Sequence, residues 1–208
     1  MCYRFYIDLF FKRKVNKVIA EKGIFVPDRD LGKLILPRDV HPTENALVIA
    51  GAAESNTGEL IAGPMNWGFA SPVGKGLLAN ARAESVKEKY SFSDSFMKRR
   101  CVIPASGFYE WDVHKARYKF FREDEKPVML GGIYRVESGI RKFTVLTREA
   151  AGSMIGIHDR MPLTIAEEDI YRWIGDDGYA NDLYKREPED LLREQDDGQI
   201  SMDFGIKK

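Results

Sequence analysis

Residues 128–146 read VMLGGIYRVESGIRKFTVL. Two runs rich in β-branched, aliphatic and aromatic residues, 128–134 and 142–146, flank a segment containing Glu137-Ser138-Gly139. This pattern predicts an antiparallel hairpin. The same reading extends outward. The run 118–121 is separated from 128–134 by Glu123-Asp124-Glu125 and predicts a further hairpin arm. Short strands are predicted at 2–7, 34–36, 46–50, 65–69, 101–103 and 107–111. Helices are predicted at 9–22, with Gly23 as C-cap, and at 83–90 and 93–99. Near the end of the chain they are predicted at 167–174, 179–186 and 189–194, the last following Pro188. The expectation is one α+β domain over residues 1–208, with a mostly antiparallel, barrel-like β core and peripheral helices. The last ten or so residues are expected to be disordered.

Composition sets bounds. The chain has 208 residues, 44% hydrophobic and 31% charged, ordinary for a globular protein with a sizeable core. Its apolar runs fall short of a membrane span, and no signal peptide is expected. Two cysteines, Cys2 and Cys101, give neither a disulfide framework nor a metal spacing, so a reducing cytoplasm and no bound metal or cofactor are expected. The zero net charge is unevenly spread. Residues 176–208, expected to be an acidic helical segment, hold ten acidic and five basic residues, and residues 1–175 hold 27 basic against 22 acidic. The larger part can present a basic surface to phosphates, although a solvated mixed-charge surface reads equally from charge alone.

Cys2 directly follows Met1. With Met1 removed, the chain would begin with a 1,2-aminothiol. A free α-amine titrates near ~7.7–8.0 and a thiol near ~8.5, so both nucleophiles are accessible near neutrality. The amine condenses with an aldehyde to an imine, and the thiol then closes a five-membered thiazolidine. No internal cysteine can do this.

Further segments carry polar groups in unusual settings. In Asn80-Ala-Arg82-Ala-Glu84, strand alternation puts Asn80 and Arg82 on one face, suited to a phosphate or sugar; a helix start with Arg82 paired to an acidic neighbour reads equally well. Glu110 lies in Gly107-Phe-Tyr-Glu-Trp111, either paired in the core or functional. Desolvation there would raise its pKa into a useful range for moving protons. His158, in His158-Asp-Arg160-Met-Pro162, is a candidate proton shuttle or a loop histidine bonded to backbone. Trp67, before Gly68, either stacks on a base or fills the core.

In order along the chain, Met1-Cys2 with Arg4-Phe5, Trp67-Gly68, Asn80 to Glu84, Arg99 to Trp111 and His158 to Pro162 together resemble the SRAP family, the SOS-response-associated peptidases. The resemblance implies an enzyme of the DNA damage response. It implies covalent cross-linking to abasic sites in single-stranded DNA through the processed N-terminal cysteine, with autopeptidase and lyase-type chemistry attached. It also implies a role for each matching residue. Cys2 is the nucleophile, Asn80 holds the sugar or N-terminus, and Glu110 moves protons. His158 protonates the sugar ring oxygen, Arg4, Arg82 and Arg160 grip phosphates, and Trp67 supports the bases or the groove wall. The expected partner is single-stranded DNA containing abasic sites, met by a cytoplasmic monomer that associates with the nucleoid during damage. The alternative is a cysteine peptidase or hydrolase using Cys2 with His158 and Asn80 or Glu110, in its minimal form removing only Met1. Two features depart from the family pattern. Tyr3 stands where glycine is common, and Phe69-Ala-Ser-Pro72 replaces a stretch that often carries a further tryptophan.

Overall fold

A computed structural model describes residues 2–27, 31–52, 58–124 and 126–196. The chain opens with β1 (Phe5–Ile7) and α1 (Phe11–Glu21), then β2 (Arg38–Val40), β3 (Asn45–Gly51) and β4 (Leu60–Trp67). A small hairpin, β5 (Phe69–Ala70) and β6 (Leu77–Leu78), precedes β7 (Asn80–Arg82) and α2 (Ser93–Lys98). Next come β8 (Arg100–Ala105), β9 (Gly107–Trp111), β10 (Arg117–Phe121), β11 (Val128–Glu137) and β12 (Ile140–Glu149). The remainder is β13 (Arg160–Pro162), α3 (Ile170–Gly175), α4 (Asp177–Asp182) and β14 (Leu192–Gln195).

The 128–146 stretch forms the predicted hairpin, longer than the apolar runs alone mark. β11 and β12 pair antiparallel up to Glu137↔Ile140. Ser138 and Gly139 form the two-residue turn, both with positive φ (49° and 79°), the conformation that matches the twist of tightly joined strands. β12 pairs with β11 and parallel to β4, while β3 and β8 complete the circuit β11–β8–β3–β4–β12 back to β11. The result is a closed five-stranded barrel, mostly antiparallel, which leaves the ring without free edges. β12 also organises its flanks: β7 pairs parallel with Val145–Thr147, and β13 pairs antiparallel with Thr147–Glu149.

A second antiparallel sheet, β14–β10–β9–β1–β2, lies beside the barrel. The chain passes from barrel strand β8 into β9 through Ser106, whose Oγ accepts the backbone N–H of Asp8 at 2.9 Å. Trp67 joins the two layers. Its fully buried ring lies 5.1 Å from Phe5 of β1 and 5.9 Å from Phe143 of β12, and its Nε1–H donates to Ala79 O at 2.8 Å. α1 buries Phe11, Val15 and Val18 at helical spacing and turns Lys12, Arg13 and Lys17 outward.

Several local expectations are corrected. The 34–36 segment is not a strand but part of a 3-10 turn, Gly32–Ile35, which buries Ile35; Leu36 is extended ahead of Pro37, as proline requires of its predecessor. The helix expected at 83–90 is reduced to one 3-10 turn, Ala83–Ser85. The helix expected at 189–194 is instead β14, which docks on the edge of β10, where paired backbone groups outweigh local helix propensity. Arg117–Asp196 (3.0 Å) and an Arg122–Glu189 pair tie that segment down. The residues expected to be disordered lie largely at 197–208, outside the described residues. No helix among the described residues is long and apolar enough to cross a membrane.

Candidate active site

The site gathers where β1 begins. Tyr109 N–H donates to Arg4 O at 3.0 Å, so the segment leading into β1 runs beside the Glu110 end of β9. Cys2 is fully buried at this point. Its Sγ lies 3.7 Å from Arg4 O. Burial, and next the negative charge of Glu110, push the thiol well above its ordinary pKa. Cys2 is therefore a protonated thiol in this arrangement.

Asn80 reaches the same place from β7, which the parallel pairing with β12 fixes. Its Nδ2 donates to Cys2 O at 2.9 Å. Its Oδ1 is buried without a hydrogen-bond partner among the described residues, an acceptor aimed into protein with nothing yet to accept.

Glu110 points inward with Phe108, while Tyr109 and Trp111 occupy the half-buried face, as strand alternation predicts. Only 2% of Glu110 is exposed. Burial raises its pKa, and the opposing influence of positive charge, His158 included, only partly offsets this. The electrostatics thus link Cys2 to Glu110 and Glu110 to His158 in one pocket. His158 is half-buried and follows a 3-10 turn, Gly152–Met154. Its Nδ1 accepts the backbone N–H of Arg160 at 2.9 Å. A neutral imidazole that accepts at Nδ1 carries its proton on Nε2, which makes Nε2–H the donor.

The four other predicted residues separate into distinct environments. Arg4 is half-buried, hydrogen-bonded through Nε to Asp39 Oδ2 at 2.9 Å, with its guanidinium 5.0 Å from the Tyr109 ring centre. Arg82 is exposed at the end of β7 and has no ion-pair partner among the described residues. Arg160 is held by Glu84 in a two-pronged pair at 2.7 and 2.8 Å. Trp67 is core, and its ring offers no free face to a base.

Sequence reasoning did not give Glu84, Asp39 or Thr147 a role. Glu84 stands inside the Asn80–Glu84 motif, but its partner lies 76 residues away and no local spacing announces it. Among the described residues, no group of three or more His, Cys, Asp and Glu side chains is placed to hold a metal.

A closed mixed barrel whose first strand delivers a buried cysteine to an amide, a carboxyl group and an imidazole defines a class of cysteine-centred barrel proteins. The chain belongs to the SRAP family: the profile for SOS response associated peptidase matches residues 1–202. It is 31% identical over 150 residues to the abasic site processing protein YoaM of Bacillus subtilis, covering 65% of this chain and 64% of that protein. It is 27% identical over 188 residues to the abasic site processing protein YoqW of the same organism, covering 84% and 80%. A crystal structure of a Bacteroides thetaiotaomicron protein shares the fold with a TM-score of 0.73, at 22% identity over 93% of this chain and 91% of that one.

Proposed function

We propose that this protein processes abasic sites in DNA by forming a covalent cross-link through Cys2 once Met1 is removed. The observation that carries the reading is the convergence on Cys2: Asn80 holds its carbonyl at 2.9 Å, and the inward-facing carboxyl group of Glu110 bears on its thiol. The names of YoaM and YoqW supply the substrate class.

The chemistry follows from the electrophile. A ring-opened abasic deoxyribose exposes an aldehyde. Opening the ring breaks the bond between the anomeric carbon and the ring oxygen. His158 Nε2–H donates a proton to that oxygen while the anomeric hydroxyl loses one. The freed Cys2 amine attacks the aldehyde carbon to give a carbinolamine, which expels water and leaves an imine. Glu110 takes a proton from the attacking nitrogen and returns one to the departing oxygen; its raised pKa suits this exchange. The Cys2 thiol then adds across the C=N bond, its sulfur to carbon and its proton to nitrogen. The product is a thiazolidine, with one water released in all. Because burial keeps the thiol protonated, the amine acts first and sulfur second.

DNA is held as a single strand, with Arg82 and Arg4 on its phosphates. Trp67 supports the wall from within.

The test incubates protein whose mass establishes loss of Met1 with single-stranded DNA carrying one abasic site, followed by a denaturing gel. The expected result is a heat-stable shifted band that is absent with Cys2→Ala and with undamaged DNA. If processed protein gives no band, the cross-linking reading fails, and peptide hydrolysis by Cys2 with His158 becomes the alternative to assay.

A further inference from the structure

We propose that Glu84 and Arg160 form a clamp that positions His158, so that Arg160 acts on the imidazole rather than on DNA phosphate. The inference rests on the reading of His158 as the proton donor, and it assigns the roles of two residues that act through it.

The geometry is specific. Arg160 Nη1 and Nη2 donate to the two carboxylate oxygens of Glu84 at 2.7 and 2.8 Å, and Nη2 also donates to Thr147 O at 2.7 Å. The fork is therefore engaged on both prongs, the geometry in which an arginine is fixed rather than mobile. Glu84 is itself anchored, because its Oε1 accepts the backbone N–H of Glu149 at 3.1 Å. The backbone of the same Arg160 donates N–H to His158 Nδ1. One residue thus links a rigid side-chain fork to the imidazole, and the link sets which ring nitrogen carries the proton.

The topology explains why these parts meet. β7 and β13 both dock on β12, and Thr147 lies opposite Arg82 of one and Pro162 of the other. The β7 segment supplies Asn80 to Cys2, and Glu84 just beyond it reaches Arg160. A single short stretch therefore holds both the nucleophile's strand and the histidine's loop. Charge separates the arginines as well. The guanidinium of Arg160 already faces a carboxylate, with its side chain 15% exposed, whereas Arg82 is exposed and has no ion-pair partner among the described residues. Arg82 is the phosphate ligand of the two.

The test compares Arg160→Lys, Glu84→Gln and Arg82→Gln, each first checked for a native melting transition. Three quantities are read: the 15N NMR tautomer signature of neutral His158 without DNA, the rate of adduct formation at saturating abasic single-stranded DNA, and the salt dependence of non-covalent binding. Arg160→Lys keeps a charge fit for phosphate but loses the fork. The clamp predicts that Arg160→Lys and Glu84→Gln lose the single Nε2–H tautomer and slow the saturated rate by about 10- to 100-fold, part of what a well-placed general acid contributes. Their salt slope changes by less than ~0.5, whereas Arg82→Gln lowers it by about 0.7, the single-strand value for one phosphate. A normal tautomer and rate in Arg160→Lys, together with a salt slope lowered by about 0.7 in Arg160→Gln, would overturn the clamp and make Arg160 a phosphate ligand. If the wild-type protein forms no adduct, the cross-linking reading fails separately, and the tautomer still decides whether the clamp exists.

Discussion

Asn80 donates its side-chain N–H to the carbonyl of Cys2 across 78 residues of sequence, at 2.9 Å. This bond fixes the start of the chain against a strand that is itself locked to β12. It therefore positions the amine that Met1 removal would free. Asn80→Ala is expected to slow adduct formation by about tenfold or more, because a misplaced nucleophile loses the advantage of orientation. Asn80→Asp is expected to do worse, since a carboxylate oxygen replaces the donor and repels the Cys2 carbonyl. Initial rates on a denaturing gel would rank the three proteins. Equal rates for wild type and Asn80→Ala would remove Asn80 from the reaction.

Glu110 gives a pH-dependent stability of defined sign. Burial raises its pKa in the folded protein above the unfolded value. The folded state then binds more protons than the unfolded state between the two values, so its contribution is complete below the unfolded pKa and is lost as pH rises through the folded one. Glu110→Gln removes this linkage. Urea melts from about pH 4 upward should show the variant gaining stability relative to wild type as pH rises. The same variant should lose adduct formation. A stability difference that is flat with pH would contradict a carboxyl group desolvated at this position.

The hairpin at 128–146, the β9 strand and the α1 helix were legible in the sequence because each buries a face with its own period: two in the strands, 3.6 in the helix. Glu110 was legible for the same reason, as a carboxyl group on the apolar side of an alternating strand. What escaped depends on partners distant in sequence. The 189–194 segment reads as a helix alone and becomes a strand only because β10 offers an open edge. The 34–36 run is apolar like a strand, but it turns to bury Ile35. Arg160 is chemically suited to phosphate, and only the folded arrangement reveals that Glu84 already occupies its fork.

Trp67 should affect stability. Its ring is fully buried between Phe5 and Phe143, and its indole N–H satisfies Ala79 O. Trp67→Phe leaves that carbonyl without its donor and opens space between the two layers. A cost of about 2–4 kcal/mol is expected from the lost bond and packing together. Chemical denaturation would measure it. A variant as stable as wild type but weaker for single-stranded DNA would return Trp67 to the binding surface.

Gly107 marks the point where the chain leaves the barrel for the second sheet, three residues before Glu110. A Cβ there would lie 2.2 Å from the backbone oxygen of Phe120 and 2.6 Å from the Tyr6 hydroxyl. Neither neighbour can yield cheaply. Gly107 is in register with Tyr6 on one side and Phe121 on the other, so moving either breaks a ladder. Gly107→Ala is therefore expected to cost about 3 kcal/mol or more, at the upper end for an overpacked core. The strain should also reach the site, because β9 cannot shift away from β10 without displacing Glu110 relative to Cys2. The check is a lowered melting temperature together with a slower adduct rate, measured well below that temperature, where the variant is still folded. A variant that melts early yet reacts at the wild-type rate would mean that the strain relaxes toward β10 and leaves the catalytic end of β9 in place.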